Sequence, residues 1–203
     1  MKINWKKLII TSLIALSPVI LGVVLLPQLP DTVAIHWDNN NEANGWVSKH
    51  FAVFGLPALM ALLQIILCVS NDLQSKEGAP KIQKIALWVV PIISVLLYSV
   101  TMYIALGKEL DIRLIACLIV GAVFILFGNY LPKVPQEQNG KLMAKALPPE
   151  KYRKVMKRIG VVMMVFGVLF LLSLFLRPVV SSVLIVLMVL FFLVITIVSF
   201  IKK

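Results

Sequence analysis

The chain has 203 residues, of which 60% are hydrophobic and only 14% charged, with a net charge of +11. Soluble proteins carry about 25% charged residues, so the composition excludes an ordinary soluble domain. The surplus positive charge sits beside apolar stretches, which makes it a topology signal rather than a nucleic-acid signal.

Crossing a bilayer core takes about 20 apolar residues in a helix. Six stretches qualify: Leu8–Leu26, Phe51–Val69, Ile85–Leu106, Ile112–Leu131, Ile159–Leu176 and Val179–Ile201. The first follows Lys2, Lys6 and Lys7, as a secretory signal would. It is longer than such a signal's apolar core and no small-x-small cleavage site follows, so it is read as a retained helix.

Residues 27–50 form a polar loop of unusual density. Within it, Val33-Ala34-Ile35-His36-Trp37 favours an extended strand. Asn39-Asn40-Asn41 and Asn44-Gly45 are turn formers, Asn-Gly the sharper, and Trp46 follows. The pattern predicts an extended piece, a turn and a return that caps the helices, with Trp37 and Trp46 buried against them or anchored at the headgroup level. Two readings stand: a lid held by aromatic anchors, or a surface that binds an external ligand. Asp31, Asp38 and Glu42 make the loop locally acidic, which suits a cationic partner. His36 with two loop carboxylates offers too few nitrogen or sulfur ligands for a metal site.

After Phe51–Val69, Ser70–Lys84 is an ordinary connection. Gly107–Asp111 is a short turn between the third and fourth spans, and Arg113 is placed to snorkel from the fourth. In residues 132–158, Pro148-Pro149-Glu150 signals a helix start. Tyr152, Val155, Met156 and Ile159 then recur on one face, with Lys151, Arg153, Lys154, Lys157 and Arg158 around them. This basic amphipathic segment is either an orientation anchor on anionic membrane lipid or a docking patch for an acidic cytosolic partner. Between the last two spans only Arg177-Pro178 interrupts the apolar run. Pro178 cannot donate to a helix ladder, so a tight helical hairpin is expected there.

Six spans place both termini on one side. Sixteen Lys and Arg fall in the termini, the 70–84 loop and the 132–158 loop, against four on the other side: Lys49, Lys108, Arg113 and Arg177. The positive-inside rule makes the termini cytoplasmic and the 27–50 loop extracytoplasmic.

Polar residues inside the spans are sparse; Thr11, Gln64, Ser94 and Ser173 are among them, available for bonds between helices or to their own backbone. Pro18, Pro57 and Pro91 are expected to kink their helices or to sit near ends. No ionisable group lies at mid-span, which disfavours an ion-coupled transporter. No nucleophile elbow, zinc-protease or phosphate-loop motif is present, so the chain is read as no enzyme, with no cofactor. Cys68 and Cys117 fall inside spans and are expected to be packed, unpaired residues.

The run Leu29-Pro30-Asp31-Thr32-Val33-Ala34-Ile35-His36-Trp37, with Gly45-Trp46-Val47-Ser48-Lys49 entering a helix, resembles the domain of unknown function that precedes the SdpI domain. A second run, Phe127-Gly128-Asn129-Tyr130-Leu131-Pro132-Lys133-Val134, is similar to the Gly-Asn-aromatic-aliphatic-Pro-Lys segment that ends a span of the SdpI domain itself. There the family continues with Asn and Gly-Ile-Arg-Thr-Pro-Trp. Here Gln136-Glu137-Gln138-Asn139-Gly140-Lys141-Leu142-Met143 stands instead, so the second module is divergent. SdpI-family proteins are multispan bacterial membrane proteins known for immunity to secreted killing peptides.

The expected architecture is an all-α integral membrane bundle of six transmembrane helices, in two modules. Residues 1–76 carry the first two helices with the loop at 27–50, and residues 77–203 form a four-helix SdpI-like module with the basic loop at 132–158. The resemblance implies an immunity protein of the bacterial cytoplasmic membrane that binds a secreted toxin peptide. The candidate ligand-binding residues are His36, Trp37, Asp38, Asn40, Gly45, Trp46 and Lys49. An inner-face motif comprises Gly128, Asn129, Pro132 and Lys133. The alternative is a sensor or scaffold that couples the loop to a cytosolic regulator; a transporter or intramembrane enzyme ranks below both.

Overall fold

A computed structural model describes residues 3–38, 40–74, 81–136 and 147–201. Among these residues, six helices are long and apolar enough to cross a membrane, within Trp5–Gln28, Phe51–Leu73, Lys84–Ala105, Ile112–Lys133, Pro149–Ser173 and Pro178–Ile195. The protein is a multi-pass membrane protein. The described chain is not purely helical, because a two-stranded antiparallel hairpin stands between the first two spans.

The chain forms two compact units, residues 1–111 and 112–203. The boundary expected at 76/77 lies outside the described residues. Compactness divides the chain later, because the third span packs with the first two.

The first unit contains α1 (Trp5–Leu16), α2 (Pro18–Leu25), the strands β1 (Thr32–Trp37) and β2 (Ala43–Ser48), α3 (Leu56–Gln74) and α4 (Lys81–Ala105). A π-helical turn, Phe51–Gly55, leads into α3. Each of its three span prolines lacks an N–H, and so denies a donor to the carbonyl four residues earlier. In a membrane such a carbonyl has no water to turn to. Each finds a side chain or backbone donor instead. Pro18 frees the Ile14 carbonyl, which accepts from Ser17 Oγ at 2.8 Å and from Ser17 N at 3.3 Å. Pro57 frees that of Val53, which accepts from the Tyr98 hydroxyl at 3.4 Å. Pro91 frees that of Leu87, which accepts from Gln64 Nε2 at 2.8 Å.

The last two of these bonds cross between helices. Gln64 is fully buried, and its Nε2 also donates to Thr11 Oγ1 at 2.9 Å, joining α1, α3 and α4 at one point. Ser94 Oγ donates to the Ala15 carbonyl at 2.8 Å, a further tie between α4 and α1. Lys7 and Asp72 form an ion pair between α1 and α3. Cys68 is unpaired and buried beside Thr11 and Gln64.

The second unit contains α5 (Ile112–Tyr130), α6 (Pro149–Ser173) and α7 (Pro178–Ile201). The helices α5 and α6 meet through glycines. A Cβ added at Gly128 would lie 2.6 Å from the Gly160 carbonyl oxygen, and one at Gly160 would lie 2.6 Å from that of Gly128. Seven residues earlier in α5 and seven later in α6, Gly121 and Gly167 meet in the same way, with Cβ-to-carbonyl approaches of 3.0 and 2.8 Å. Small residues at this spacing let two backbones touch, which is how packing holds helices together in lipid. Phe124, Phe170 and Phe192 fill the space beside this seam, with ring centroids 6.3 to 6.4 Å apart.

The helical hairpin expected at Arg177-Pro178 is present: α6 ends at Ser173 and α7 starts at Pro178. Arg113 serves that turn. Its Nη1 donates to the Ser173 and Leu176 carbonyls at 3.4 and 3.2 Å, capping a helix end. Cys117, unpaired and buried, lies among Ser173 and Ser181, whose hydroxyls are 3.1 Å apart.

Candidate functional site

Two regions gather the candidate residues, one in each unit. In the first, β1 and β2 pair antiparallel with Val33 opposite Val47 and Ala34 opposite Trp46. Val33 is buried and joins Leu29, Ala52, Val53, Tyr98 and Met102 in a core cluster against which Val47 packs. The hairpin is therefore seated on the helices by one face.

Its base is closed by Asp31 and Lys49. Lys49 N donates to the Asp31 carbonyl at 2.9 Å, and Lys49 Nζ reaches Asp31 Oδ1 at 2.9 Å. The hydrogen-bonded Lys49 ammonium holds the Asp31 carboxyl below its ordinary value of 3.8. Ser48 Oγ then accepts from Phe51 N at 3.3 Å where the next helix begins.

The turn lies at Asp38–Glu42 and not at Asn44-Gly45. Asp38 Oδ1 accepts from Asn40 N and Glu42 N at 2.8 and 3.0 Å, and Asn41 adopts a left-handed φ of 65°. This aspartate-nucleated turn supplies the reversal, so Asn44 and Gly45 are free to enter β2. The register is irregular between Ala34 and Trp37, which brings His36 opposite Gly45. A Cβ at Gly45 would lie 3.0 Å from His36 Cβ, so glycine makes room for the histidine. His36 Nδ1 is hydrogen-bonded to Asn44 Oδ1.

Of the seven loop residues chosen from the sequence, His36 and Gly45 are brought together. Asp38 is engaged in the turn, Asn40 is exposed at the tip, and Lys49 is tied to Asp31. Trp46 is 56% exposed, while Trp37 is half-buried. Trp37 and Asn41 face a polar recess shared with Lys108, Glu109 and Asp111. Asn41 Nδ2 donates to the Leu110 carbonyl at 3.0 Å, which ties the hairpin tip to the 107–111 turn. From the sequence that turn is only a connection. Its charge-rich Lys-Glu-Leu-Asp run is the signal that marks it, but the contact joins residues far apart in the chain.

The second region lies in the other unit. Gly128 is buried in the seam with α6, and Pro132 packs against Gly160. Lys133 Nζ is 3.2 Å from Asn129 Oδ1 and 4.9 Å from the centre of the Tyr130 ring. Across from them, α6 runs unbroken from Pro149 into the apolar span. Tyr152, Met156 and Ile159 are buried on its inner face, and Tyr152 donates its hydroxyl to the Val134 carbonyl at 3.1 Å. Lys151, Arg153, Lys154, Lys157 and Arg158 are exposed. Lys133, Arg153, Lys154 and Lys157 line one open groove of about 660 Å³ together with Glu150. The inner-face motif and most of the basic patch thus share a single surface. Of the divergent run from Gln136 to Met143, residues 137–143 lie outside the described residues.

Comparison with known proteins supports the resemblance carried by the loop. The model of a family described as a domain of unknown function, DUF1648, matches residues 13–61, which span from α1 through the hairpin into α3. The immunity protein SdpI of Bacillus subtilis is 29% identical over 131 residues, covering 64% of this chain and 62% of that protein. The chain is similar to the SdpI family. The match spans somewhat less than two thirds of the SdpI immunity protein's length. No solved structure matches.

Proposed function

We propose that this chain is an integral membrane immunity protein that protects its cell from a secreted killing peptide by binding it at the membrane. The observation that carries the reading is the match to the SdpI immunity protein, in a chain whose DUF1648 match encloses a seated hairpin. The charge asymmetry of sixteen against four orients the chain in the cytoplasmic membrane with the hairpin outside and the termini inside. Seen from outside, the hairpin offers the exposed indole of Trp46 and the exposed carboxylate of Glu42, and the neighbouring recess holds Glu109 and Asp111 with Lys108. An apolar ring beside carboxylates suits a cationic, amphipathic peptide. The proposed role is binding: the hairpin's hydrogen-bonded His36 and turn-engaged Asp38 serve its conformation.

The test is expression in a strain sensitive to the cognate peptide. Survival should rise with the intact chain and fall back with Trp46→Ala and with His36→Ala at equal membrane abundance. Killing that is unaffected by the intact chain would sink the proposal.

A further inference from the structure

The basic groove of the second unit joins two chemistries along one stripe of α6. Glu150, Arg153, Lys154, Lys157, Val161 and Met164 follow one another at helical spacing along its wall. The first part of the stripe is charged and the last part is apolar, so the groove runs from the headgroup level into the hydrocarbon. Lys133 and Asn129 face the charged part from the end of α5. Among the described residues, four cations meet one carboxylate there. Among the described residues, neither ion pair in the protein involves Arg153, Lys154 or Lys157. A second, almost wholly apolar furrow lies on the other side of the same stripe. It shares Lys154, Lys157 and Val161 with the groove, and adds Val162 of α6 with Phe191 and Ile195 of α7.

We infer that this groove is a binding site for an anionic phospholipid, with the headgroup phosphate held by Lys133, Arg153 and Lys157. One acyl chain lies against Val161 and Met164, and the other enters the furrow beside Phe191. The net positive charge favours an anionic headgroup over a zwitterionic one, whose own ammonium offsets its phosphate, and arginine and lysine donors match the phosphate oxygens. The two furrows flanking one basic stripe match a diacyl lipid better than a single-chain or soluble anion. This goes beyond general attraction of a basic helix to an anionic surface, because it selects residues: Lys151 is exposed on the same helix but lines neither furrow.

Native mass spectrometry of the full chain in detergent tests the site, with phosphatidylglycerol and phosphatidylcholine of the same acyl chains as probes and inorganic phosphate as competitor. Phosphatidylglycerol should be retained in preference to phosphatidylcholine. Arg153→Gln and Lys157→Gln should each lower its retention about fivefold, the effect of one headgroup-level cation. Lys157→Arg should keep it, and so should Lys151→Gln. Equal retention of the two lipids, or equal losses in Lys151→Gln and Lys157→Gln, would overturn the site. Displacement of the lipid by millimolar inorganic phosphate would reassign the groove to a soluble anion and overturn the lipid assignment.

Discussion

The two units solve the same problem with different chemistry. In the first, prolines break the backbone ladder of three spans, and side chains from neighbouring turns or helices repair it. In the second, α5 and α6 are joined by four glycines whose backbones touch. Lipid tails supply no hydrophobic drive to bring helices together, so either hydrogen bonds or close packing must do so. The first unit spends polar side chains on carbonyls that would otherwise be costly. The α5–α6 seam of the second unit needs no donor, but an atom added there meets a neighbour within 3.0 Å.

Replacing a seam glycine should cause the largest damage. Gly128→Ala puts a methyl group 2.6 Å from a backbone carbonyl that cannot rotate away. Overpacking of this kind costs about 2 to 3 kcal/mol, read as a fall in thermal unfolding temperature in detergent. Gly121→Ala should cost less, because the first atoms its methyl meets belong to the Leu171 side chain. Little loss of stability at either site would show that the seam is not what holds α5 to α6.

Next comes Gln64→Leu, which leaves the Leu87 carbonyl without its donor and removes the bond to Thr11. The expected loss is about 1 to 2 kcal/mol. Restoring a backbone donor with Pro91→Ala in the Gln64→Leu background should recover part of it. Failure to recover would break the link drawn between that proline and that glutamine.

A smaller effect is expected at Tyr98, whose 3.4 Å bond to the Val53 carbonyl is long. Tyr98→Phe should cost about 0.6 kcal/mol, the usual size for such bonds in membrane proteins. Gly22→Ala would place a methyl group 1.9 Å from the Tyr98 hydroxyl oxygen. Adding Tyr98→Phe should relieve part of that clash, so a double-mutant cycle should show coupling of about 1 kcal/mol.

The smallest effect is electrostatic and lies at the hairpin base. Because Lys49 depresses the Asp31 pKa in the folded hairpin, the pair contributes above the unfolded carboxylate value and is lost as pH falls through the folded value. Hydrogen exchange at the hairpin amides should therefore show less protection below about pH 4. High salt should weaken the pair, and Asp31→Asn should abolish the step. An unchanged acid profile in Asp31→Asn would show that this pair does not set the opening.

Much of this molecule was fixed by local chemistry, and local chemistry is legible in sequence. Apolar length marked six spans, Arg177-Pro178 marked the last helical turn, and the β-favouring run at Val33–Trp37 marked one strand. The face of α6 followed from the spacing of Tyr152, Val155, Met156 and Ile159. The position of the hairpin turn was not legible: Asn-Gly is the stronger local signal, but the Asp38 side chain captured two amides and left Asn-Gly to the strand opposite His36. Nor could spacing reveal that Gln64 and Tyr98 serve carbonyls freed by Pro91 and Pro57. The same holds for Gly128 meeting Gly160, and for Asn41 reaching Leu110. Those contacts join residues distant in the chain, and only the packed helices bring each donor to its acceptor and each glycine to its partner.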